Sequence, residues 1–172
     1  MILSLLGYMG CGKSHIAKIL SQKTNLKCVD LDKEIIFQQN RPISEIFAQK
    51  GELYFRKIER KTLENLLNQE ENFILSLGGG TPAYYDNMAL ITRHSVSVYL
   101  QASVPTLVSR LEKQKAKRPL IAQIPTEDLP EFIAKHLFER APYYNQALYK
   151  IATDGKTPET VAEEIIRLLP PH

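Results

Sequence analysis

Residues 7–14 read Gly-Tyr-Met-Gly-Cys-Gly-Lys-Ser, the spacing G-x-x-x-x-G-K-S, and no other stretch of the chain limits its fold as much. The glycines let backbone N–H groups turn inward onto phosphate oxygens where a Cβ would clash. A helix placed directly after the loop adds free N–H donors and the positive end of its dipole. Lys13 then sets a cation on the terminal phosphates, and Ser14 offers a hydroxyl to Mg²⁺. The flanks supply the context that the pattern needs. Residues 2–6 are a short, mostly apolar run of the kind that forms a buried parallel strand. Over residues 15–23, Ile16, Ile19 and Leu20 fall at helical spacing with lysines on the other face.

Composition narrows the class. At 172 residues the chain can bury the core of one domain, and its 44% apolar and 24% charged content is that of a soluble globular protein. A net charge of +3 suits a small anionic substrate and does not by itself point to nucleic acid. Cys11 and Cys28 make no disulfide framework, which points to a reducing cytoplasm. Met1 runs straight into the first strand with no signal-peptide pattern, no apolar run reaches membrane-spanning length, and there is no internal repeat.

Beyond the first helix, residues 27–32 read as a second strand ending in acids, followed by a helix over 32–39 that Asn40-Arg41-Pro42 breaks. Ser44 can cap a short helix running to Gln49, with Gly51 just past its end. Residues 52–68 form a longer helix whose inward side carries Phe55, Ile58, Glu59, Leu63, Leu66 and Leu67. A third strand over 73–77 runs into Gly78-Gly79-Gly80, which permits close approach of a ligand. A helix at 88–92, a strand at 95–100 and a helix at 105–113 follow. The basic, proline-punctuated stretch 113–125 reads as a mobile lid. A helix over 130–144, a strand over 150–153 and a last helix beginning at Pro158 complete the chain. This alternation predicts an α/β fold, with a parallel sheet covered by helices on both faces and ligands beyond the carboxyl ends of the strands. The glycine loop, Asp30 with Asp32, and Gly78–Gly80 all fall at such ends.

Phosphoryl transfer at this loop calls for an acid to support the metal. Leu100-Gln101 supplies none, and Asp154 with Gly155 reads as a turn, which leaves Asp30 and Asp32. They point the same way if the segment is extended and diverge if a helix starts at Asp30. Asp30 is assigned to the water shell of the metal and Asp32 to an acceptor hydroxyl; the alternative is that one of them caps the helix. No guanine-reading N-K-x-D occurs, and the basic lid lacks the interleaved aromatics of a single-strand binder, so it is read as delivering Arg118 to the transferring phosphoryl group. Cys11, inside the loop at a helix N-terminus, is expected to alkylate readily and to be protected by nucleotide.

Several of these pieces together resemble the shikimate kinases, within the nucleoside-monophosphate-kinase-like P-loop group: G-Y-M-G-C-G-K-S at 7–14, D-L-D at 30–32, G-E-L-Y-F-R-K-I-E at 51–59, G-G-G at 78–80, K-R-P-L at 117–120 and E-R-A-P-Y-Y at 139–144. The resemblance spans nearly the whole chain. It implies a single three-layer P-loop domain whose five-stranded parallel sheet has the order 2-3-1-4-5, and transfer of the γ-phosphoryl of ATP to the 3-hydroxyl of shikimate with Mg²⁺. It places Gly10, Cys11, Gly12, Lys13, Ser14, His15, Arg110, Arg118 and Pro158 around ATP. His15 stands where the family often has Thr. Asp32, Arg56, Gly78, Gly79, Gly80 and Arg140 fall on the shikimate side, the two arginines holding the carboxylate. Lys13, Asp32 and Arg118 take the catalytic roles, with Asp32 either orienting the hydroxyl or accepting its proton. A monomer with no nucleic-acid or membrane partner is expected. Two other readings are a kinase for another small acceptor and a nucleotide-binding regulator without turnover. The Arg56/Arg140 pair favours a carboxylated ring over the first. The lid arginine and Asp32 are features that a mere binder does not need.

Overall fold

The computed structural model describes residues 1–171. Five parallel strands make one sheet in the order β2-β3-β1-β4-β5. They are β1 (Ile2–Leu6), β2 (Lys27–Asp30), β3 (Phe73–Ser76), β4 (Val96–Gln101) and β5 (Tyr149–Ala152). β1 lies in the middle, in register with β3 on one side (Ser4 opposite Leu75) and β4 on the other (Ser4 opposite Ser97). All five of its residues are buried, as a strand covered on both faces requires. The edge strands carry Lys27 and Lys150, which discourage further pairing.

Among the described residues, eight α-helices surround the sheet: α1 (Lys13–Thr24), α2 (Leu31–Gln39), α3 (Ile43–Leu67), α4 (Asn87–His94), α5 (Val104–Glu112), α6 (Pro119–Ala122), α7 (Leu129–Tyr144) and α8 (Pro158–Leu168). α1 and α8 pack together, α1 burying Ile16, Ala17, Ile19 and Leu20 and α8 burying Val161, Ala162 and Ile165. Ser103 and Thr157 cap α5 and α8, each accepting from the backbone three residues on, and proline follows at the start of each helix. Asp154 accepts from the Ser103 backbone N–H at 3.1 Å, so it pins the end of β5 to the start of α5, as its reading as a turn residue requires. That bond holds its carboxyl below the usual carboxylate range.

Gly51 interrupts α3 with a φ of 84°, in the left-handed region, at the boundary expected between two helices. Several boundaries differ from expectation. α3 begins at Ile43 with Pro42 as its N-cap, so Ser44 lies inside the helix and does not cap it. β2 ends at Asp30, and α2 begins at Leu31. The helix after the glycine loop begins at Lys13 itself, so Lys13 and Ser14 belong to its first turn. The lid region is also built rather than plain: it contains a 3₁₀ turn at Lys115–Lys117, α6, and a second 3₁₀ turn at Thr126–Asp128, with Ile121 fully buried.

Candidate active site

The loop before α1 bends through positive φ at Gly10 (81°) and Gly12 (99°). Gly10 also lies flush on α5, since a Cβ there would stand 3.0 Å from Leu111. α1 has no acid in its first turn, which leaves its N-terminus free for an anion. The Lys13 ammonium donates back to the Gly7 carbonyl at 2.5 Å and the Tyr8 carbonyl at 3.2 Å. Arg110 donates to the Gly10 carbonyl at 3.2 Å, which sets a second cation against the loop. A cavity of about 560 Å³ opens here, bordered by the loop, Asp30, Asp32, Gly78, Gly79, Arg110 and Arg118, with Pro158 on its far wall. His15 is exposed on α1 and borders the same cavity. Among the described residues, no group of three His, Cys, Asp or Glu side chains gathers to hold a metal.

The two acids diverge, and the structure decides which of them caps. Asp30 is the N-cap of α2, its Oδ1 accepting from the Lys33 backbone at 3.1 Å. The parallel presentation that an extended Asp30-Leu31-Asp32 would give is absent, because the helix turns Asp32 onto a different face. Asp32 reaches instead toward the glycine turn: a Cβ on Gly78 would stand 3.2 Å from its Oδ1. Burial pushes the Asp32 carboxyl up to about 6; the like charges of Asp30 and Glu59 add to this, and Lys13 and Arg56 oppose it.

The arginine pair meets at the far end of the glycines. A Cβ on Gly80 would lie 2.9 Å from both terminal nitrogens of Arg56 and 3.2 Å from Arg140 Nη2, and one on Gly79 would lie 3.5 Å from Arg140 Nη1. Both guanidinium groups therefore occupy the space that missing side chains leave. They stand just beyond the end of the cavity at Gly79, not along its main wall. Arg56 comes from α3 and Arg140 from α7, on opposite flanks of the turn.

Three residues that the sequence did not single out as functional hold this end in place. Glu59, 1% exposed, accepts from Arg56 Nη1 at 3.0 Å and from Thr81 Oγ1 at 3.0 Å. A carboxylate on the inward stripe of a helix, three residues after Arg56, was the signal for it. Tyr144 donates its hydroxyl to the Gly79 carbonyl. Tyr144 and Arg140 lie one turn apart on α7, and one turn further back His136 shares a 2.9 Å hydrogen bond with the Tyr8 hydroxyl of the loop. One stripe of α7 thus touches both the phosphate loop and the glycine turn. Burial pushes the Tyr8 phenol up to about 12 and lowers the His136 imidazole, so this contact is neutral at ordinary pH.

Two expectations change. Arg118 borders the cavity, but its Nε and Nη2 both donate to Gln114 Oε1, at 3.1 and 2.8 Å, so it lies along its own segment. Cys11 borders the cavity but is 1% exposed, its thiol tucked beneath Gly7, which runs against the expected ready alkylation. Cys28 is the exposed thiol.

Comparison with known proteins points to one family. A family model described as shikimate kinase matches residues 9–170. A shikimate kinase of Flavobacterium johnsoniae is 51% identical over 166 residues, covering 96% of each chain. Crystal structures of shikimate kinases superpose on nearly the full length. That from Bacteroides thetaiotaomicron gives a TM-score of 0.90 at 32% identity, covering 98% of this chain and 97% of the other. That from Acinetobacter baumannii, in complex with shikimate, gives 0.86 at 28%, covering 97% and 91%.

Proposed function

This chain belongs to the shikimate kinase family, and on that premise we propose how its residues divide the work of moving the γ-phosphoryl of ATP to the 3-hydroxyl of shikimate. The reaction yields shikimate 3-phosphate and ADP, a step of aromatic amino-acid biosynthesis.

The donor half is the loop with its two cations. Gly10, Cys11, Gly12 and His15 surround the phosphates with backbone N–H groups, and the first turn of α1 adds more. Binding ATP draws Lys13 off the Gly7 and Tyr8 carbonyls onto the β- and γ-phosphates. Arg110 and the Pro158 end of α8 enclose the adenine. The Ser14 hydroxyl and the free Oδ2 of Asp30, the latter through water, fit the oxygen donor set of Mg²⁺. When bound, that ion neutralises charge on the phosphates.

The acceptor half is carried by one observation: Arg56 and Arg140 converge on Gly79–Gly80 while Asp32 faces Gly78. Two guanidinium groups at one end of a short polar turn suit a carboxylate, and a carboxylate side chain at the other end suits a ring hydroxyl. Asp32, with a carboxyl pushed up to about 6, orients the 3-hydroxyl and is basic enough to take its proton as the bond to phosphorus forms. Arg118 swings from Gln114 to the transferring group when the lid closes, adding a cation to those of Lys13 and Arg110. The chain works as a monomer in the cytoplasm, without nucleic acid or membrane. No described helix is long and apolar enough to cross a bilayer.

The test is ADP release measured separately with shikimate, gluconate and nucleoside monophosphates, with Mg²⁺ present and after its chelation. Release only with shikimate and Mg²⁺ is expected. Equal release with gluconate would assign the arginine pair to a different acceptor.

A further inference from the structure

We propose that Tyr84 is a positioning residue for the carboxylate clamp, its ring fixing the plane of the Arg56 guanidinium. This rests on the reading that Arg56 receives the substrate carboxylate. The Arg56 Cζ lies 3.8 Å from the centroid of the Tyr84 ring, which is stacking distance. The Tyr84 hydroxyl donates to Glu52 Oε1 at 2.8 Å, and the same Glu52 oxygen stands 3.5 Å from Arg56 Nε. Nε is buried and has no hydrogen-bond partner.

These contacts divide the control of one side chain. Glu59 holds only Nη1, and a single hydrogen bond is a pivot about which the planar group can swing. A ring against its face removes that freedom, so that Nη2 stays aimed at Gly80. Order fixed before binding need not be created at the moment of binding, which favours affinity.

The backbone around Tyr84 is built to aim it. The chain leaves the 3₁₀ turn Thr81–Ala83 with Tyr84 extended, and Tyr85 then takes a φ of 50°, in the left-handed region where a tyrosine is strained. Both sides of that reversal are tied. The Asn87 side chain donates to the Thr81 carbonyl at 2.9 Å and its backbone N–H to the Tyr84 carbonyl at 3.2 Å, while Arg60 binds Asp86 and Asn87. A merely exposed tyrosine would need none of this.

The experiment is shikimate saturation kinetics at saturating ATP, with shikimate affinity also measured by calorimetry without nucleotide. The variants are Tyr84→Phe, Tyr84→Leu, and Tyr84→Leu combined with Arg56→Lys. Tyr84→Leu should raise the KM and Kd for shikimate roughly three- to thirtyfold, with kcat and the KM for ATP within about twofold. Tyr84→Phe, which keeps the ring, should stay within about twofold of wild type. In the Arg56→Lys background, where no planar group remains to stack, Tyr84→Leu should add less than about twofold. An unchanged KM in Tyr84→Leu, an equal loss in Tyr84→Phe, or an undiminished effect in the Arg56→Lys background would each overturn the proposal. Should Tyr84→Leu not fold, Tyr84→Met replaces it under the same criteria. A wild-type protein that neither binds nor phosphorylates shikimate would instead refute the function on which the proposal rests.

Discussion

Asp32 Oδ1 lies 3.2 Å from the point that a Cβ on Gly78 would occupy, so the half-buried carboxylate is set against bare backbone at the edge of the cavity. This burial is the main cause of its raised carboxyl, which sits at about 6. The ionised form is the one that can orient or deprotonate a hydroxyl, and it is lost as pH falls through that value. We expect kcat/KM for shikimate to drop on an acid limb centred near pH 6, and Asp32→Asn to lower kcat by about 100-fold or more and abolish that limb. Turnover of Asp32→Asn at the wild-type rate would show that the group is not catalytic.

The same shift bears on stability. The folded protein holds this proton more tightly than the unfolded chain, so ionising Asp32 costs the fold on the order of 2–3 kcal/mol, fully present above about pH 6 and absent below about pH 4. Urea unfolding should therefore find Asp32→Asn more stable than wild type at pH 8 and equal to it near pH 4.

Gly80→Ala should separate binding from folding. Gly80 has ordinary negative φ (−89°), so alanine strains no backbone there. The new methyl would nonetheless meet Arg56 at 2.9 Å and Arg140 at 3.2 Å, and these flexible ends can yield only by leaving the clamp. The expected result is a melting temperature within about 2 °C of wild type and a shikimate KM raised about tenfold or more, as loss of a charge-assisted contact implies.

Glu59→Ala should do the opposite, harming both. It strands the 11% exposed Arg56 side chain and the Thr81 hydroxyl without their common acceptor. A loss of about 3 kcal/mol in denaturant unfolding is expected, with a raised shikimate KM.

Thiol titration at pH 8.5 should find one accessible cysteine per native chain, Cys28, and a second only after unfolding. ATP should leave the native count unchanged. Partial desolvation and the neighbouring Asp30 push the Cys28 thiol up, so its reaction should slow steeply below that pH. Rapid labelling of Cys11 in the folded protein would contradict its burial under Gly7.

The parts legible in sequence were those written in local pattern. The loop, the break at Gly51 and the strand–helix alternation all depend on neighbours a few residues away, and they appear where expected. Choosing between Asp30 and Asp32 as the cap turned on one residue of helix boundary, which spacing alone leaves open. Tyr84 and Tyr144 have no signal in the sequence because their roles come from distant contacts: Tyr84 with Arg56, 28 positions earlier, and Tyr144 with Gly79, 65 positions earlier. Cys11 was misjudged for the same reason, since a helix N-terminus says nothing about what covers it. The path of Arg118 along Gln114 likewise follows from a local rotamer.

The sheet order has a bearing on how such a protein could change its acceptor. β2 and β3 lie to one side of the loop-bearing β1, and β4 and β5 to the other. Asp32, Arg56, Gly78–Gly80 and Tyr84 therefore all fall within one continuous stretch on a single side, while Arg110, Arg118 and Pro158 come from the remainder. On the proposed division of the site, specificity is close to a cassette: replacing residues 31–86 would exchange most of the acceptor side and leave the loop, Asp30 and the other nucleotide-side residues whole. Arg140 is the exception, reaching across from α7, and any graft that ignored it would inherit a cation selected for someone else's substrate.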